Sequence, residues 1–254
     1  MKENKIWNDY LPEDMQEHWT VYECLKESED SSTFLVKETV TGILCVLKWG
    51  RNRQAEFLRN EMEIMEKMAD RKLSGIPKTY RIFEENGEVY LVREYIEGMS
   101  LAQMVLQKGG ISEAEICRIS RKICQTAEQF QNPDEPMIHR DIKPENIVVT
   151  PGGEVVFIDF GTMRSYKKDG SRDTFVVGTR GTAAPEQYGY TQTDQRTDVY
   201  AIGQTMLYMV SESYEKNQLS ECAVSRRMKK IIEKACSFEP DKKIWRCCAI
   251  KESS

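Results

Sequence analysis

The chain has 254 residues, enough for one large domain or two small lobes with a substantial core. Hydrophobic residues make up 40% and charged residues 30%, an ordinary soluble composition, and a net charge of -5 carries no nucleic-acid signal. No apolar run is long enough to span a bilayer, so no membrane segment is expected within the chain.

The opening "MKENKIWNDYLPEDMQEHW" is polar and acidic, unlike a signal peptide, and residues 1–18 read as an N-terminal extension. The runs "WTVYECLK", "TFLVKE" and "GILCVLKW" follow, short and rich in β-branched and aromatic residues, and each predicts a strand. Between the first two lies "KESEDSST", a turn with no glycine and three carboxylates. A strand-turn-strand leading to an inward lysine, here Lys48, often opens a nucleotide pocket. Such turns are usually glycine-rich because backbone N–H groups must come close to phosphates. "RQAEFLRNEMEIMEKMADRK" is then a helix with Phe57, Leu58, Glu61, Met65 and Met68 near one face. Glu61 is a carboxylate on a largely apolar stripe; buried there it needs a cation, and at the stripe's edge it meets water.

"YRIFEENGEVYLVREY" predicts a hairpin turning at Asn86-Gly87, and a boundary between two lobes falls near Glu97-Gly98, giving lobes over 19–97 and 98–254. Ser112 to Glu115 reads as a capping box opening a long helix with Ile116, Ile119, Ile123 and Ala127 on its apolar side. "NIVVTPGGEVVFIDF" is a second hairpin. A loop from Thr162 to about Thr182 precedes two helical segments, "TDVYAIGQTMLYMV" and "SRRMKKIIEKAC". The eight cysteines form no C-x-x-C pair, which suits buried thiols in a reducing cytoplasm.

The chemistry concentrates in "HRDIKPEN", His139 to Asn146, and "DFG", Asp159 to Gly161. Asp141, Asn146 and Asp159 offer hard oxygen donors suited to Mg²⁺, and one carboxylate can instead orient a substrate hydroxyl. Transfer of a γ-phosphoryl group needs such a set, because its catalysis is mostly positioning and charge neutralisation.

These motifs, with "VLK" at Val46 to Lys48, "GTRGTAAPE" from Gly178 and "DVYAIG" from Asp198, occur in an order that resembles the eukaryotic-like protein Ser/Thr kinase superfamily, in a bacterial-type wording. The resemblance covers Trp19 to Pro240 and implies an α+β, bilobal kinase fold. It implies an enzyme that moves the ATP γ-phosphate to Ser/Thr hydroxyls of proteins, itself included, with ATP and Mg²⁺ as cofactors. The alternative is a pseudokinase, the same fold used as a binding or regulatory module.

By the same resemblance Lys48 holds phosphates while paired with Glu61, Asp141 orients the acceptor hydroxyl, and Lys143 neutralises the transferred group. Asn146 and Asp159 hold the metal, and Thr179 links a docking loop to Asp141. Val46, Glu94, Ile96, Val148 and Ser28 are the remaining cofactor-binding positions. His139 packs with Phe160, Asp198 braces the catalytic loop, and Arg140 suggests control by phosphorylation, with Thr174 the candidate among Ser165, Ser171 and Thr174.

The chain departs from the family in three places. Lys26, Ser28 and Ser31 stand where the phosphate-loop glycines belong, and Glu27, Glu29 and Asp30 oppose a triphosphate. Arg93 stands at the back of the adenine pocket, where pairing with Glu61 would compete with Lys48. At the end, "FEPDKKIWRCCAIKESS" puts Lys243 where an arginine should grip Glu186, so the last helix is expected to be truncated or altered; a one-base frame change in the coding sequence would account for it.

Overall fold

The computed structural model describes residues 11–69, 71, 73–131, 136–166, 181–188 (backbone only at 186 and 188) and 193–237. The chain divides into two compact units, Met1–Lys72 with Pro77–Ile96 and Leu73–Ile76 with Glu97–Ser254. Thr174, Ser171, Thr179, Lys243 and the rest of the tail lie outside the described residues.

The first unit contains a short helix α1 (Glu13–Gln16) and strands β1 (Trp19–Glu27), β2 (Ser31–Glu38), β3 (Leu44–Gly50), β4 (Thr79–Glu85) and β5 (Glu88–Glu94). These form one antiparallel sheet in the order β1-β2-β3-β5-β4. The long helix α2 (Asn52–Ala69) follows β3. Strand alternation divides the side chains between two faces. Phe34, Leu47 and Val92 stand in one cross-strand row; Thr33, Lys48 and Leu91 stand in a row of the opposite face. The first face packs against Leu11, Met15 and Trp19, so Leu11 and Met15 belong to this unit's core. The second face meets α2 through Leu91, Val89, Ala55 and Leu58. Asn86 and Gly87 both take positive φ, 50° and 83°, the geometry that lets a two-residue turn follow the twist of β4 and β5.

The second unit has short strands β6 (Met99–Ser100), β7 (Met137–Ile138), β8 (Ile147–Val149), β9 (Val155–Phe157) and β10 (Arg164–Ser165). Its helices are α3 (Leu101–Lys108), α4 (Glu113–Phe130), α5 (Gln195–Ser211) and α6 (Arg226–Ala235). The reciprocal capping box stands at Ser100 and Gln103, opening α3. At α4, Ser112 accepts from the Glu115 N–H as expected, while the Glu115 carboxylate pairs with Lys108 Nζ at 2.9 Å. A longer cationic partner within reach outcompetes the return bond to the backbone.

Helix α4 buries Ile116, Ile119, Ile123, Ala127 and Phe130. The β8–β9 hairpin closes with the Thr150 N–H donating to Glu154 O at 2.9 Å, across the Pro151-Gly152-Gly153 turn. Helix α5 is buried almost all round, from Thr197 to Leu207. Its Gly203 lets α6 come close: a Cβ there would lie 2.7 Å from the Ala235 Cβ and 2.8 Å from Cys236 Sγ. A buried helix with that contact is a rigid base for the loop that Asp198 touches.

Candidate active site

In the first unit, β3 carries Lys48 and α2 carries Glu61. Their side chains meet at 2.7 Å, with Lys48 only 9% and Glu61 1% exposed. The carboxylate on the apolar stripe is thus buried and has its cation. Desolvating both groups is costly, and the close contact in a low dielectric offsets that cost. Val46, also buried, precedes Lys48 by one alternation and lies on the same sheet face.

Arg93 is buried and pairs in register with Val46, on the same face as Leu91 and Lys48. Lys48 keeps Glu61 despite that second cation on its face. Glu94 turns to the segment just before β4, its carboxylate accepting the Lys78 N–H at 3.0 Å while its own N–H donates to Lys78 O at 2.8 Å. Ile96 is half-buried just beyond.

The glycine-free turn closes between β1 and β2. The Ser28 N–H donates to Ser31 O at 2.8 Å, and the Ser28 hydroxyl lies 3.0 Å from the same oxygen and 2.8 Å from the Ser31 hydroxyl. The hydroxyl offered for phosphate is therefore engaged inside the turn. Lys26 pairs with Thr33, which pairs with Lys48, so strand register sets both lysines in one cross-strand row.

In the second unit, the loop from His139 to Lys143 runs from β7 into a 3-10 turn at Pro144–Asn146. Asp141 is the hub of a small network. Lys143 Nζ approaches Asp141 Oδ2 at 2.8 Å, and Asn146 Nδ2 donates to the same oxygen at 2.8 Å and to the Asp141 carbonyl at 3.0 Å. With its NH₂ used on Asp141, Asn146 keeps its amide oxygen as an acceptor. Its backbone carbonyl accepts the Ile158 N–H at 3.0 Å, fixing the residue just before Asp159. Asp159 Oδ1 accepts the Gly161 N–H at 3.3 Å. An amide oxygen and a carboxylate are the hard donors that a divalent cation takes, so this pair fits Mg²⁺. Val148, the remaining cofactor-binding expectation, is buried on β8.

Asp198 anchors the loop from beneath. Its two carboxylate oxygens accept the N–H groups of His139 and Arg140, each at 2.9 Å. Arg140 takes φ of 69°, and its Nε donates to the Thr162 carbonyl at 2.6 Å. The His139 ring sits 5.3 Å from both Phe160 and Phe157.

Two supporting residues were not singled out by the sequence. The Thr162 hydroxyl donates to the His139 carbonyl at 3.0 Å, and buried Gln187 joins the Arg140 carbonyl at 2.7 Å to the Ala184 N–H at 2.8 Å. Gln187 directly follows the "APE" tripeptide, and that adjacency was the one hint available.

Burial dominates the titration of the anchor. It pushes the Asp198 carboxyl up to about 6, against the two N–H donors that favour its charge. Burial also pulls His139 down to about 4, against the pull of Asp141 and Asp159. The signs oppose one another. The raised Asp198 contributes stability below its unfolded value that is lost as pH rises to about 6. The depressed His139 contributes stability above its ordinary 6.5 that is lost as pH falls towards about 4. His139→Phe should therefore gain stability relative to the parent as pH drops through that window, by about 2–4 kcal/mol in total. Denaturant titrations at several pH values between 7 and about 4.5 check it. A difference independent of pH would show that the imidazole does not titrate against burial.

A family model described as the protein kinase domain matches residues 20–249. The chain belongs to the protein kinase family, within the eukaryotic-like Ser/Thr superfamily. Over 207 residues it is 31% identical to serine/threonine-protein kinase D of Synechocystis, covering 74% of this chain and 39% of that protein. It is 35% identical over 147 residues to a probable serine/threonine-protein kinase of Clostridium perfringens, covering 58% and 21%. With the probable serine/threonine-protein kinase PknB of Corynebacterium glutamicum it shares 29% over 160 residues, covering 61% and 24%. The chain spans less than half the length of these relatives.

Proposed function

We propose that the protein transfers the γ-phosphate of ATP to serine and threonine hydroxyls of proteins. The observation that carries this reading is the Asp141 network: one carboxylate oriented by Asn146 at 2.8 Å and neutralised by Lys143 at 2.8 Å. The Lys48–Glu61 pair, held in the other unit, supports it.

In this reading Asp141 accepts or orients the proton of the acceptor hydroxyl. Lys143 stabilises negative charge on the phosphoryl as it moves, and Lys48 holds the α- and β-phosphates while Glu61 keeps it in place. Bound Mg²⁺ would neutralise charge on the phosphates, and Asn146 and Asp159 are the residues that would hold it. Asp198 and His139 act through the loop they shape. Val46, Glu94, Ile96 and Val148 are the proposed positions for the base, with Val46 and Val148 apolar and buried, each within its own unit. The "APE" segment and Lys143 favour protein over small-molecule acceptors. Thr174 remains the proposed phosphorylation site and Thr179 the proposed link to Asp141.

Among the described residues no helix is long and apolar enough to cross a membrane. A cytoplasmic place for this domain is part of the proposal, supported by the free cysteines among the described residues.

The test is incubation with γ-labelled ATP and Mg²⁺, followed by phosphoamino-acid analysis of the protein and of a generic basic substrate. Label is expected on serine or threonine and should vanish with a chelator. No label on either protein would overturn the reading.

A further inference from the structure

The β1–β2 turn carries three acids, and one of them, Asp30, is held from the end of β3. Asp30 does not stand alone at the tip. Its Oδ1 accepts from Arg51 Nε at 2.9 Å and from Asn52 Nδ2 at 3.1 Å. Its backbone carbonyl accepts the Arg51 N–H at 3.0 Å, and the Glu29 carbonyl accepts from Arg51 Nη2 at 3.0 Å. Arg51 and Asn52 sit where β3 passes into α2, three residues after Lys48. Asn52 takes φ of 53°, a left-handed turn that aims this junction back at the tip. The guanidinium carbon also stands 5.9 Å from the Trp49 ring. Arg51 and Asp30 are each a little over two-fifths exposed at the side chain, so the pair is moderate in strength but backed by bonds to the main chain.

We infer that Arg51 is a positioning residue for nucleotide binding: from the sheet face opposite Lys48, where it stands over Trp49, it clamps the glycine-free turn in one shape. This rests on the proposal that the turn covers the ATP phosphates. A glycine loop reaches phosphate by backbone freedom. This turn instead holds one shape, with neither Glu29 nor Asp30 at positive φ. The clamp starts from the strand that carries Lys48, so turn and lysine share one support.

A clamp on the turn has a signature that a purely structural contact lacks: it acts on ATP affinity and on local opening of the turn. Removing Arg51 breaks both of its side-chain bonds to the turn, whereas Asp30→Asn spares the one to the Glu29 carbonyl. Mg-ATP affinity, measured by calorimetry, should fall about five- to tenfold in Arg51→Ala and about twofold in Asp30→Asn. The double variant should bind like Arg51→Ala, because the clamp is already open once Arg51 is gone. In turnover, the KM for ATP should carry the loss while kcat changes little. Hydrogen exchange of the amides over residues 27–33 should quicken in nucleotide-free Arg51→Ala.

Unchanged affinity in Arg51→Ala, losses that simply add, or unchanged exchange would each overturn the inference. A loss of thermal stability with unaltered affinity would assign the pair to folding alone and overturn it too. A parent protein that binds Mg-ATP but transfers no phosphate would remove the kinase reading, and the binding series would still decide this one.

Discussion

Asp141→Asn is expected to slow phosphate transfer from ATP by about 10²- to 10⁴-fold, the range for loss of a positioned acid-base group. Asparagine fills the same space but cannot take the acceptor's proton. It also withdraws the anion that holds Lys143 Nζ at 2.8 Å, so a second group loses its orientation. The change reaches the chemistry and spares the core, because Asp141 lies in a loop with its backbone set by Asn146 and its neighbours held by Asp198. The check is an initial-rate comparison of labelled transfer, with a denaturant titration to show that stability moves by less than about 1 kcal/mol. A variant that keeps more than about a tenth of the parent rate would remove Asp141 from the proton's path.

Lys48→Met should act on stability as well as on rate. Glu61 is 1% exposed, and methionine removes a cation held 2.7 Å from its carboxylate. Taking one partner from a buried pair costs about 3–5 kcal/mol, because the other charge stays desolvated. Replacing both partners by apolar groups of similar volume is often close to neutral. The single variant should thus melt well below the parent, and Lys48→Met/Glu61→Leu should recover much of the loss while staying inactive. Thermal unfolding of the parent and the two variants decides it. Equal losses in single and double variants would show that packing, and not charge, dominates at this site.

The two predictions draw on residues of different legibility. Asp141, Asn146 and Asp159 stood out because their spacing is local: a short loop and a hairpin bring them together whatever surrounds them. The Asn86-Gly87 turn was legible for a similar reason, since positive φ at two successive positions demands those residues. Glu61 was legible as a conflict, a charge on an apolar stripe. Only burial decided between a solvated edge and a paired core position. Leu11 and Met15 went unread because a short apolar pair in an acidic stretch has no periodicity; a sheet face needing cover gave them their place. The capping box at Ser100 and Gln103 was written in the residues, but it opens a helix of only eight residues, Leu101–Lys108, too short for a clear periodic pattern.

What the sequence by itself determined is the family, the order of the motifs and the chemical types in the site. Those follow from residue identity and near-neighbour spacing. The tertiary structure decided where the Asp30 charge of the acidic turn goes. Read along the chain, Glu27, Glu29 and Asp30 count as three repulsions toward a phosphate. Strand pairing brings Arg51 and Asn52 onto Asp30 from 21 and 22 residues away, and a carboxylate's effect depends on its nearest cation rather than on its place in the chain.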